Sequence, residues 1–160
     1  MNNLSQKEKT LLQDQKTHEE ICIKKYNDYA NQAQDPQLKQ IFSTNAQQEQ
    51  QHLDTINQII GGQVPSMNQN QQQQGQKNSQ GQGTQGTQSM NTGSGSKSDA
   101  DLCNDILMTE KYVSGAYDTA IFEFRDTNIR QTLNHIQKEE QQHGESVFKY
   151  MESKGLYNPQ

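Results

Sequence analysis

Glu49-Gln50-Gln51-His52 recurs, residue for residue, as Glu140-Gln141-Gln142-His143, 91 positions further along the chain. Carried outward without gaps, the same offset sets Leu11 on Leu102, Asp14 on Asp105, Glu19 on Glu110 and Tyr26 on Tyr117. It also sets Asp35 on Asp126, Leu38 on Ile129, Lys39 on Arg130 and Gln40 on Gln131. An ungapped correspondence of this kind marks an internal duplication.

Each copy reads as two helices. Asp35-Pro36 is an N-cap followed by proline at the first helical position, where its missing N–H costs nothing, and Asp126-Thr127 is the counterpart. Ser5 with Glu8 predicts a capping box for the first helix, and Ser98 with Asp101 a looser one for the third. Gly61-Gly62 and Gly155 stand where helices should stop. The expected helices are 5–33, 36–60, 99–124 and 127–153, giving hairpin one at 5–60 and hairpin two at 99–153 within a single domain spanning 1–160.

The hairpins flank a stretch of different chemistry. Residues 63–98 are Gln, Gly, Asn, Ser and Thr with little else; Val64, Pro65, Met67 and Met90 are the exceptions of apolar or ring character. Such a segment cannot bury enough surface to offset the entropy of ordering, so it reads as a disordered linker. It depresses the averages of the whole chain, which has 160 residues, a hydrophobic fraction of 28% and a mean hydropathy of -1.17. A flexible chain of this length can cross the full length of a bundle, which permits the second and third helices to run parallel without requiring it.

Charge and cysteine content narrow the function classes. The formal net charge is -5, with Lys and Arg scattered, so no basic face predicts nucleic-acid binding. No apolar run approaches a membrane span. Met1 to Lys9 has no apolar run, which predicts no signal peptide and retention inside a cell, where Cys22 and Cys103 are expected as free thiols packed as small core residues.

The inward stripe, followed at alternating steps of three and four, carries the chemistry. In the second helix it runs Leu38, Phe42, Asn45, Glu49, His52, Ile56, Ile59, and in the fourth Ile129, Leu133, Ile136, Glu140, His143, Val147, Tyr150. In the third it runs Cys103, Ile106, Glu110, Val113, Tyr117, Ala120, Phe124, and in the first Leu12, Gln15, Glu19, Cys22, Tyr26, Tyr29, Ala33. Glu19, Glu49, His52, Glu110, Glu140 and His143 interrupt this largely apolar stripe near mid-helix. One Glu from each of two helices plus Glu-x-x-His from each of the other two is the ligand pattern of ferritin-like di-iron and di-manganese carboxylate proteins. Four carboxylates converging in a core repel one another and lose hydration; protonation or entering water could relieve this, but two divalent cations answer it directly. Carboxylates with two imidazoles suit iron or manganese, with zinc also open. The expected fold is therefore all-α, a ferritin-like four-helix bundle of two duplicated hairpins joined by a long crossover linker. Tyr26 and Tyr117, a heptad beyond Glu19 and Glu110, are core residues or hydrogen-bond partners of the ligand carboxylates. His18 and Glu139 lie off the stripe and are expected in solvent; His135 is also off it.

Asp101-Leu102-Cys103-Asn104-Asp105-Ile106-Leu107, Glu110-Lys111-Tyr112 and Ala116-Tyr117-Asp118-Thr119-Ala120 resemble the coat F domain of spore coat proteins. So do Arg130-Gln131-Thr132-Leu133, the run Glu139-Glu140-Gln141-Gln142-His143, Tyr150-Met151 and Lys154-Gly155. The resemblance is closest over 99–157, with the first hairpin a more diverged version. It implies a component of the spore coat, made in the mother cell, with other spore coat proteins as partners and self-association into a homo-oligomer open. Three readings follow: a structural or protective coat protein with a dinuclear metal site; a di-iron or di-manganese enzyme that removes peroxide or oxidises ferrous iron; and a metal-free structural bundle whose Gln-rich linker drives assembly.

Overall fold

The computed structural model describes residues 4–63 and 98–157. The linker reading falls almost wholly on residues 64–97, which lie outside the described residues. Four helices form two antiparallel hairpins: α1 (Gln6–Gln32) with α2 (Pro36–Ile60), and α3 (Asp99–Glu123) with α4 (Thr127–Ser153).

The predicted end signals operate as local chemistry. Ser5 and Glu8 close a reciprocal capping box on α1, and Ser98 and Asp101 close one on α3. Asp35 and Asp126 accept from backbone N–H groups in the first turns of α2 and α4. At the other ends, Gly62 (φ 82°) and Gly155 (φ 67°) take the left-handed conformation that lets the chain fold back over the last turn. There Gly62 N–H donates to Ile59 C=O and Gln63 N–H to Gln58 C=O, and Gly155 and Leu156 repeat the pattern onto Glu152 and Met151.

Helix direction follows from which residues meet. Across the α1–α3 interface Glu8 meets Arg125, Glu19 meets Tyr117, Tyr26 meets Glu110 and Gln34 meets Asp99, one number falling as the other rises. The two helices are therefore antiparallel. Between α2 and α4, Asn45 meets Ser146, Gln48 meets His143 and His52 meets Glu139, again antiparallel. Since α2 also opposes α1, α2 and α3 run in the same direction. The end of α2 and the start of α3 lie at opposite ends of the bundle, which settles the choice that the sequence leaves open.

Every residue of the four stripes is buried. The apolar ones gather into two clusters. One, at the end that holds the α1–α2 turn, includes Tyr26, Leu38, Phe42, Leu102, Ile106 and Val147. The other, at the end that holds the α3–α4 turn, includes Leu12, Ile56, Val113, Ile129, Leu133 and Ile136. Each large aliphatic side chain removed from water contributes about 1.5–3 kcal/mol, so the two ends hold the bundle closed around a polar layer that does not supply such cohesion.

Candidate metal centre

The mid-helix layer between the clusters contains Glu19, Glu49, His52, Glu110, Glu140 and His143, each at most 4% exposed. All six expected residues are brought together. Their side-chain donor atoms fall into two sets, Glu19, Glu49, His52 and Glu140, and Glu49, Glu110, Glu140 and His143, with the atoms of each set within 4.8 Å of one another. Glu49 and Glu140 belong to both sets. Ligand distances of about 2.0–2.3 Å around one ion give spacings of this size.

The imidazoles are oriented alike. His52 Nδ1 lies 3.1 Å from Glu140 Oε1 and 3.3 Å from Glu49 Oε2, and His143 Nδ1 lies 3.2 Å from Glu49 Oε1. The rings stack at 5.6 Å between centroids, 24° from parallel. Their Nε2 atoms point away from the centre: His52 Nε2 is 2.9 Å from Glu139 Oε2, and His143 Nε2 is 3.1 Å from Gln48 Oε1. The tyrosines take the hydrogen-bonding role and do so reciprocally, Tyr26 donating to Glu110 and Tyr117 to Glu19. Asn45 in turn donates to Tyr26 Oη at 3.2 Å.

Burial sets the charge state. It raises Glu19 and Glu110 well above the ordinary carboxylate range, and repulsion from Glu140 and Glu49 adds to it, against hydrogen bonds from His52 and His143 respectively. Burial acts on Glu49 and Glu140 in the same sense, but hydrogen bonds with His143 and His52 outweigh it and hold both below that range. Burial by itself would lower the imidazoles. Glu139 and Glu140 foremost at His52, and Glu110 and Glu140 foremost at His143, raise both instead. Burial and mutual repulsion thus favour the protonated form of Glu19 and Glu110, and the surrounding carboxylates favour the protonated form of both imidazoles.

The residues suit a cation on an independent ground. Glu19 Oε2, Glu110 Oε2 and Glu140 Oε2 are buried and have no hydrogen-bond partner of good geometry among the described residues. Polar atoms left in this condition are costly, and here they sit on members of the two donor sets.

Sequence reasoning missed three features. Glu139, expected in solvent, is 27% exposed and reaches His52 Nε2 from the edge of the α4 stripe, with His135 Nε2 3.5 Å away on its outer side. His18, also expected in solvent, has a buried Nδ1 and packs edge-on against Tyr112. Glu8, read only as a capping residue, is buried and also accepts from the Arg125 backbone N–H (3.0 Å) and guanidinium. His135, off the stripe, is exposed, and Cys22 and Cys103 are free and buried.

Residues 98–160 match the Coat F domain. The protein called uncharacterized protein YusN of Bacillus subtilis (strain 168) is 34% identical over 61 residues, which cover 38% of this chain and 56% of that relative. The chain thus spans a little over half the length of the curated relative it matches. No solved structure matches. No described helix is long and apolar enough to cross a membrane. The match begins at the Ser98 cap, runs through α3 and α4, and takes in Glu110, Glu140 and His143, so it is this half of the chain that is similar to the Coat F domain.

Proposed function

We propose that the protein is a spore coat component whose ferritin-like bundle holds two divalent metal ions, iron or manganese, in a structural or protective role. The coat assignment, with coat proteins as partners and synthesis in the mother cell, comes from the Coat F domain. The metal assignment is carried by one observation: two four-donor sets sharing Glu49 and Glu140 in a layer closed off by apolar clusters. In this reading Glu49 and Glu140, members of both donor sets, would serve both ions, with Glu19 and His52 helping to hold one and Glu110 and His143 the other. Bound dications would displace protons from these groups, so metal uptake should release protons. All-oxygen and imidazole donors favour iron or manganese over thiophilic ions, with zinc the competitor. Bound metal would supply charge neutralisation and, if iron or manganese is redox-active there, oxidant chemistry; the chain itself contributes the buried, preformed donors.

Elemental analysis of the full chain purified without chelators tests this. Two metal ions per chain in the wild type, and none in a Glu49→Gln/Glu140→Gln variant that keeps its helical circular dichroism, are expected. No metal in the wild type, even after exposure to Fe2+ or Mn2+, favours the purely structural bundle. With metal present at a hundredfold excess over its dissociation constant, the wild type should gain about 2.7 kcal/mol of stability, read as a rise in Tm that the double variant lacks.

A further inference from the structure

We infer that the two metal positions are unequal, and that Glu139 makes the Glu19/His52 position fill first. The inference rests on the metal reading above and deepens it. The duplication relates the two positions by the offset of 91, under which Gln48 corresponds to Glu139. The tyrosines, bridging glutamates and both histidines keep the correspondence, so the ligands themselves give no reason for a difference. The groups behind the histidines do. His52 Nε2 faces a carboxylate at 2.9 Å, whereas His143 Nε2 faces an amide oxygen at 3.1 Å.

That difference bears on the ligating atom. With Nδ1 turned to the carboxylate layer in both rings, Nε2 carries the hydrogen and donates it outward. An anionic acceptor there strengthens the hydrogen bond, fixes the tautomer and raises the electron density that Nδ1 offers a cation. It also adds a full negative charge beside one position alone. A neutral amide fixes the ring but adds no charge. Gln48 and Glu139 are both half-buried, so the contrast is only partly screened by water. Glu139 belongs to neither donor set and acts through His52, as a positioning residue. Removing such a partner lowers metal affinity by about 10- to 100-fold, which sets the size of the expected inequality.

The experiment is a Mn2+ titration of the full chain, followed by calorimetry and by electron paramagnetic resonance, which separates a lone Mn2+ from a coupled pair. Two ions that share carboxylates repel, so two binding steps alone do not identify the cause and the variants decide. Glu139→Gln should weaken the tight step by about tenfold or more, and Gln48→Glu should strengthen the weak one by a similar factor. The double swap should transfer tight binding to the other half. Placement is read from ligand variants: Glu110→Gln should keep one tightly held ion, and Glu19→Gln only a weakly held one. Equal affinity in those two variants, or a tight step unmoved in Glu139→Gln, overturns the inference while leaving the dinuclear reading intact. A wild type that takes up no Mn2+, Fe2+ or Zn2+ overturns both. If Glu139→Gln does not fold, Gln48→Glu, an exchange of similar shape at a half-exposed position, decides independently.

Discussion

The two hairpins share a buried carboxylate and imidazole layer but differ in how they clasp one another. At one end of the bundle Glu8 accepts from the backbone N–H of Arg125 in the α3–α4 turn; at the other, Asp99 accepts from the N–H groups of Gln34 and Asp35 in the α1–α2 turn. Under the offset these are near-equivalent clasps, since Glu8 corresponds to Asp99 and Gln34 to Arg125. The first has in addition a guanidinium, with Nη2 3.0 Å from Glu8 Oε2, and the second does not. On the α1–α3 face, Lys25 and Tyr29 bond Asp105, whereas their counterparts are Ala116, Ala120 and Asp14. Identity is thus kept where residues from four helices must converge and is lost where two helices merely touch. A ligand layer tolerates few arrangements of charge, while a clasp can be built from any acid that reaches a turn.

The largest effect should come from breaking what the halves share. In metal-free protein, Glu49→Ala strips His52 and His143 of a counter-ion in the core, and should cost about 3–5 kcal/mol in urea unfolding. Glu140→Ala should cost the same to within about 1 kcal/mol if the halves are electrostatic equivalents. A gap wider than that would break the comparison at its centre.

The clasps should respond less, and unequally. Hydrogen bonds from the Arg125 side chain, ahead of the opposing effect of burial, hold the Glu8 carboxyl at about 2. A carboxyl lowered in the folded state contributes stability above its unfolded pKa near 4.5, and that contribution is lost as pH falls from there toward about 2. Glu8→Gln should therefore cost about 1–3 kcal/mol at pH 7 and flatten the acid limb of the stability curve over that window. Asp99→Asn, lacking a guanidinium partner, should cost less at pH 7; a loss equal to that of Glu8→Gln would show that Arg125 adds nothing beyond its backbone N–H.

The smallest effect belongs to the α1–α3 face. Lys25→Ala removes a pair at 2.7 Å whose members are each about a third exposed, and should cost under about 1 kcal/mol, with the loss shrinking further in high salt. A larger loss would mean that this asymmetric cluster, and not the ligand layer, sets the register between hairpins.

How much of this was legible varies with the physics involved. Burial of the stripe, including Glu19 and Glu110, follows from heptad spacing, because a helix face repeats every three to four residues regardless of its neighbours. Helix ends were legible because a cap is local: Ser5, Asp35, Ser98 and Asp126 act on N–H groups two or three residues away. The role of Glu139 was not, since a residue at the stripe's edge is wet or dry according to where the adjacent helix lies, and here α2 puts His52 within its reach. The Glu8–Arg125 clasp spans 117 residues and depends on helix direction, which a long polar linker leaves open. The metal reading was reached from spacing and charge, and the structure adds the shared membership of Glu49 and Glu140.

That shared membership has a kinetic meaning. Each hairpin closes through a turn of a few residues, but the first donor set draws three members from hairpin one and takes Glu140 from hairpin two, and the second set does the reverse with Glu49. The decisive contacts join residues 88 to 101 apart, such as His52 with Glu140 and Asn45 with Ser146. Closing so long a loop is slow and comes after local helix formation. In the metal reading a lone hairpin would offer only three donors of a set, so tight capture would wait on docking. Uptake of the ion during refolding would then be a clock for the last event, the moment when two halves of one chain become a single interior.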